Sequence, residues 1–265
     1  MTTGKKFTAL FFYCLAVCSF CAEISFAQDD CIAMVNRIFG SASALKEGAS
    51  QWITVKKDDV FASGDIIKTG EDATCELYLI DGTIFEIGNR STLKIQDLSG
   101  DKKHLKRAIL DLEIGELLST IEKGLDYSVR TPQAVCAVRG TEFVVKTSKD
   151  KLTTAAVFSG KVGVFHYEKS GKLSKQAKII KKMQETHVSL YKKPEVLKEF
   201  SKEIKSVRTR LLNDRSRRNK LKKEIIKNRK QLLKKKKKAI LHRNQDMKKS
   251  AVQERRSKRP PRRGR

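Results

Sequence analysis

Acidic residues all but vanish from the last quarter of this 265-residue chain. Residues 193–265 hold 30 Lys and Arg against 7 Asp and Glu, whereas residues 1–192 hold 27 against 23. The net charge of +27 therefore belongs to a tail, and the body is close to neutral. Aromatics are scarce as well. Phe200 is the only one in the tail, which argues against recognition of single-stranded nucleic acid by base stacking. The four histidines, His104, His166, His187 and His242, stand apart with no second ligand at metal spacing. G-x-S-x-G and H-E-x-x-H are missing, as is C-x-x-C beyond the first 27 residues. Glu113 and Glu116 flank Gly115, but one such pair does not make a glycosidase. Gly160-Lys161 lacks the leading glycine and the hydroxyl residue of a phosphate loop, so it reads as a turn. With no convergent polar set in view, the chain reads as a non-enzyme without a cofactor or a bound metal.

What is present begins with an export leader. Lys5 and Lys6 precede an apolar run over residues 7–22, and Ser25-Phe26-Ala27 supplies a small-x-Ala cleavage site before Gln28. The run falls short of the roughly 20 residues of a bilayer span, and no later run is longer. An uncleaved anchor is the alternative. Residues 1–27 are thus expected to be a signal peptide, and the protein periplasmic or otherwise in the cell envelope. Cys31, Cys75 and Cys136 then remain. An odd number leaves at least one thiol unpaired within a chain. Cys75 and Cys136 sit in apolar strand patterns and read as small buried hydrophobes, while Cys31 is placed to pair between chains.

Residues 28–192 read as many short strands. Cys75, Leu77 and Leu79 alternate with Glu76 and Tyr78, Asp81-Gly82 supplies a tight hairpin turn, and residues 84–87 return. Turn signals at 63–65, 70–72, 99–101, 159–160 and 170–171 separate apolar runs at 52–55, 93–95, 109–112, 155–158 and 162–167. Pro132, the only proline of this region, stands at a segment start, where it costs no ladder bond. In "AVCAVRGTEFVV", residues 134–145, Cys136 and Val138 share a face before Gly140, and Phe143 and Val145 share one of opposite parity after it. This predicts a β-bulge at Gly140. Arg139 would then lie at the kink, donating to carbonyls the bulge leaves unpaired or to a carboxylate, or else binding an anion.

From Pro194 the pattern is helical, with Glu195 and Glu199 in the expected first turns. Leu197, Phe200, Ile204, Val207 and Leu211 recur at steps of three and four. The same phase then meets Asp214, Arg218, Leu221, Ile225, Asn228 and Leu232. An interrupted seam of this kind suits a coiled coil, or a single amphipathic helix against a surface. Dense like charge predicts disorder over the last dozen residues.

The β region also resembles a known family, the FecR domain. "VFASGDIIKTGEDATCELYLIDGTIFEIGNRSTLKI" (60–95), "LEIGELLSTI" (112–121), "VRTPQAVCAVRGTEFVV" (129–145) and "TTAAVFSGKVGVF" (153–165) follow its motifs in order across roughly residues 35–190. The resemblance implies an extracytoplasmic, twisted, solenoid-like or sandwich-like β domain without catalytic residues. Asp81, Gly82, Pro132, Val138, Arg139, Gly140, Thr141 and Gly160 fall on the family's motif positions. The best-known members relay siderophore-receptor occupancy to a cytoplasmic sigma factor through a transmembrane helix. Here a leader stands where that helix would be, so the sigma-factor contact is expected to be lost.

The expected architecture is mainly β: a FecR-like domain over 28–192, followed by a Lys/Arg-rich helical tail over 193–265. The β domain would bind an envelope protein or a glycan. Lys222, Lys223, Arg229, Lys230, Lys234, Lys235, Lys236, Lys237 and Lys238 would bind a polyanion. After export that partner is an anionic lipid or acidic polymer, and the helix could also join copies of the chain. A component of iron-responsive signalling is the first alternative. A nucleic-acid-binding protein is the second, should the leader be misread.

Overall fold

A computed structural model describes residues 33–100, 105–197 and 199–228, and individually 231, 232, 234, 238, 241 and 245. The leader, Cys31, Arg229, Lys230, Lys235, Lys236 and Lys237 lie outside the described residues.

Among the described residues, seventeen strands are shared between two layers. They are β1 (Ala33–Phe39), β2 (Ala42–Leu45), β3 (Ile53–Thr54), β4 (Val60–Phe61), β5 (Ile66–Thr69), β6 (Thr74–Leu79), β7 (Ile84–Ile87), β8 (Thr92–Gly100), β9 (Leu105–Thr120), β10 (Asp126–Arg130), β11 (Ala134–Val138), β12 (Glu142–Thr147), β13 (Leu152–Ser159), β14 (Lys161–His166), β15 (Lys178–Lys181), β16 (Glu185–Ser189) and β17 (Glu195–Leu197). Sheet A runs β4-β1-β6-β7-β9-β12-β13-β16-β17, antiparallel throughout. Sheet B runs β3-β2-β5-β8-β9-β10-β11-β14-β15, with one parallel pair, β9 and β10. Strand β9 belongs to both sheets: its residues 105–114 pair in sheet B and its residues 115–120 in sheet A. The main core lies between the layers and draws on both, from Val35, Leu77, Phe85 and Phe143 on one side to Ile67, Leu110, Val129 and Val164 on the other. Tyr127 and Phe143 meet edge-to-face across it, at 6.1 Å between ring centroids. Cys75 and Cys136 are free and buried there, and burial pushes each thiol up to about 12.

The expected bulge at Gly140 is a corner instead. Strand β11 pairs in sheet B and β12 in sheet A, so residues 139–141 carry the chain from one layer to the other. The parity change follows from the crossing, because the inward face of one sheet must become the inward face of the opposed sheet. Gly140 takes the left-handed conformation this requires, at φ +61°.

The helix also differs from expectation. Glu195-Val196-Leu197 add β17 to the edge of sheet A, and α1 spans Lys202–Lys227. Ser201, rather than Pro194, sets its start. The Ser201 side chain accepts from the Ile204 amide, and the Ser201 amide donates to buried Glu185 at 2.8 Å. Nor does α1 project as a free rod: it lies along the outer face of sheet A. Phe200, Ile204, Val207 and Leu211 pack on Leu118, Val144, Ala156 and Phe158. Further along, Ile225, with Leu221 and Leu232, packs on Met34, Ala62, Tyr78 and Ile84. Thus the apolar seam is genuine, but the chain's own sheet fills it, and over these residues no coiled-coil face is left open. None of the described helices is long and apolar enough to cross a membrane.

Candidate functional site

Between its two apolar contacts, α1 crosses a row of carboxylates. Glu76 on β6 and Glu86 on β7 stand directly opposite each other, and Glu116 follows on β9. All three are buried. Like charges in register repel, and burying them unpaired would be costly. The helix supplies the counterions. Arg217 holds Glu76 with two bonds of 2.7 Å, and Arg218 reaches Glu86 at 2.9 Å. Arg210 pairs with Glu116 and lies 3.5 Å from Glu86. Asp214 sits between Arg217 and Arg37 of β1, at 3.0 Å from each. Lys146 joins Glu116 at 3.1 Å and also meets Glu203 of the first helical turn. Burial raises the Glu76 carboxyl, but bonds from Arg217 and Asn36 and the field of Arg218 outweigh it and hold Glu76 below the usual carboxylate range. The Arg217 hydrogen bond lowers Asp214 in the same sense.

The positions where the seam turned polar, Asp214 and Arg218, are therefore the ones that meet this acid row. The helix divides its cations by type. Arginines 210, 217 and 218 face the sheet, where a planar fork suits a buried carboxylate. All of its lysines but Lys222 face outward. Lys202, Lys220, Lys223 and Lys227 are exposed with no ion partner among the described residues, and Arg208 shares that lack of a partner while half-buried. Of the expected polyanion set, Lys223, Lys234 and Lys238 are exposed, whereas Lys222 is half-buried and pairs with Glu122. The acid row itself went unrecognised in the sequence. Its signal was the glutamate opposite glutamate that the Asp81-Gly82 turn brings into register.

The motif residues gather at turns. Asp81 accepts from the Thr83 amide and hydroxyl, both at 3.0 Å, and Gly82 beside it sits under Lys222 of α1. Burial raises the Asp81 carboxyl. Exposed Pro132 occupies the second position of a turn closed by Thr131 and Ala134. The side chain of Val138 is buried in the core. Arg139-Gly140-Thr141 packs on a second sheet-to-sheet corner at Gly160: the Thr141 hydroxyl donates to the Lys161 carbonyl at 3.1 Å. Neither a bulge carbonyl nor a carboxylate takes the Arg139 guanidinium. Its side chain is exposed and without an ion partner among the described residues.

This arrangement of turns and strands has a family. A family model described as FecR protein matches residues 65–163. Over those residues the chain is similar to a FecR domain. The match opens at Asp65, a buried carboxylate that accepts from the Ala62 and Glu47 amides, and closes in β14; α1 and the acid row's arginines lie beyond it. Two crystal structures of a "putative anti-sigma factor" from Parabacteroides distasonis ATCC 8503, at 1.65 and 2.50 Å resolution, are similar to this chain at 18% identity and a TM-score of 0.43. The similarity covers 53% of this chain and 62% of that one, less than two thirds of its length. No curated protein matches the sequence.

Proposed function

We propose that this protein is a non-catalytic, exported sensing or binding module whose FecR domain is held against anionic envelope surfaces by a basic helix. The observation that carries the reading is the division of charge on α1. Arg210, Arg217 and Arg218 are consumed by buried carboxylates, while Lys202, Lys220, Lys223 and Lys227 stay exposed and unpaired among the described residues. A cationic ridge fixed on a folded body attracts polyanions through its field and through release of their counterions. After export the available polyanions are lipid headgroups and acidic polymers. The exposed lysines Lys234 and Lys238 extend the ridge past the end of α1.

Co-sedimentation with phosphatidylglycerol vesicles tests this. The Lys220→Ala/Lys223→Ala/Lys227→Ala variant should bind several-fold more weakly than the parent at low salt, and both should release as salt rises. Parent protein that ignores such vesicles would end the reading. The FecR match favours a second element, a regulatory output of the β domain. Deleting the protein should then shift transcription of an envelope-stress or iron-uptake regulon, and an unchanged transcriptome would leave a tether with no signal.

A further inference from the structure

The flank of α1 between its buried seam and its outer lysines bears two large aliphatic side chains, Leu212 and Ile226, which are 46% and 56% exposed. At 3.6 residues per turn, Leu212, Asn219 and Ile226 lie within about 40° of one another, as one narrow stripe. Arg215 and Lys222 border it on the side toward the protein, and Lys205 and Lys223 on the side away. Ion pairs fix where this flank points. Arg215 reaches Glu142 at 3.3 Å, and Lys222 meets Glu122. Both acids sit at sheet-to-sheet corners, next to Lys123 and the Arg139-Gly140-Thr141 turn. The stripe therefore shares one side of the molecule with Lys123, Arg139 and Lys161, three more exposed cations.

A purely ionic polymer has no use for exposed leucine and isoleucine. A second helix would need another apolar position in each heptad, and the residues three and four beyond Leu212 and Asn219 are Arg215, Ser216, Lys222 and Lys223. An anionic bilayer suits both components. Aliphatic side chains enter the boundary between headgroups and acyl chains, and lysine stems snorkel to the phosphates. We infer that this flank is a membrane-surface contact: α1 lies flat on an anionic bilayer, with Leu212 and Ile226 inserted and Lys205, Lys223, Lys123, Arg139 and Lys161 on lipid phosphates. This rests on the tether proposed above and names its surface, its depth and its orientation.

The test uses residues 28–265, which keep every described residue, with phosphatidylglycerol/phosphatidylcholine vesicles at about 0.1 M and about 1 M salt, where the Debye length falls from about 10 Å to about 3 Å. The parent should keep measurable binding at the higher salt. Leu212→Ser/Ile226→Ser should lose about tenfold or more at low salt and all binding at high salt. Its melting temperature should not move, since both side chains face solvent. Equal binding by the serine variant and the parent overturns the inference while leaving the tether intact, and so does complete release of the parent at high salt. Absence of parent binding at low salt removes the tether itself. A dimer of the parent in sedimentation that the serine variant loses would make the stripe a seam between copies, and would also overturn the inference.

Discussion

The two outer faces of this sandwich are built on different terms. On sheet A, Leu118, Val144, Ala156 and Phe158 are buried beneath α1, and so are the three glutamates. On sheet B, the outward residues Val135, Ala137 and Phe165 are half-buried, and Ile179 is half exposed. Burial along the strands carries the same contrast. Sheet A strands are buried without a break over Phe143-Val144-Val145 and Ala155-Ala156-Val157-Phe158, while β11 alternates buried and half-buried positions along its length. A run that ignores the two-residue period has something packed on both of its faces. Burial thus marks the covered sheet where composition does not, since β11 is itself an unbroken apolar run, Ala134-Val135-Cys136-Ala137-Val138.

The strongest way to break the comparison is at the ion network. Arg218→Ala takes from buried Glu86 its 2.9 Å partner and from Glu76 a second cation at 3.5 Å, and should cost about 3–5 kcal/mol in urea denaturation. A loss below about 1 kcal/mol would mean that water already enters the row. Acid provides a second handle on the same groups. Glu76 and Asp214 titrate below the ordinary carboxylate range in the folded protein. Their stabilisation is fully present above the unfolded value of about 4 and is lost as pH falls through the folded values. The gap between parent and Arg218→Ala should therefore narrow steadily below about pH 4. Asp81, whose carboxyl is raised, works in the opposite sense.

Apolar truncation gives the next largest contrast. Leu118→Ala opens a hole beneath α1 and should cost about 2–5 kcal/mol. Val135→Ala, on the uncovered face, should fall within about 0.5 kcal/mol. Similar losses at the two sites would indicate that sheet B carries a cover as well.

Much of this was legible and some was not, for identifiable reasons. Local pattern located the Asp81-Gly82 hairpin and the seam from Phe200 to Ile225, because turn chemistry and helical period are properties of neighbouring residues. The partner of the seam is not such a property. A seam against a sheet and a seam against a second helix look alike until Arg210, Arg217 and Arg218 are matched to acids on strands 94, 141 and 132 residues away. The Gly140 corner failed similarly: parity reports that one residue has been absorbed, and both a bulge and a change of sheet absorb one. Glu195–Leu197 reads as the start of a helix until the free edge of β16 claims it as β17.

The smallest expected effects separate two neighbours in that corner. Gly140 has φ +61°, and a Cβ there would stand 3.0 Å from the Cγ of Lys123, so Gly140→Ala should cost about 1–2 kcal/mol. Arg139 points to solvent with no ion partner among the described residues, so Arg139→Ala should change stability by less than about 0.5 kcal/mol. If the corner cations meet a bilayer, Arg139→Ala should nonetheless weaken binding to phosphatidylglycerol vesicles by a few fold at low salt and not at all at high salt. A loss of stability larger than that of Gly140→Ala would assign the arginine to the fold. A neutral result in both assays would leave Arg139 without a role in either the corner or the surface.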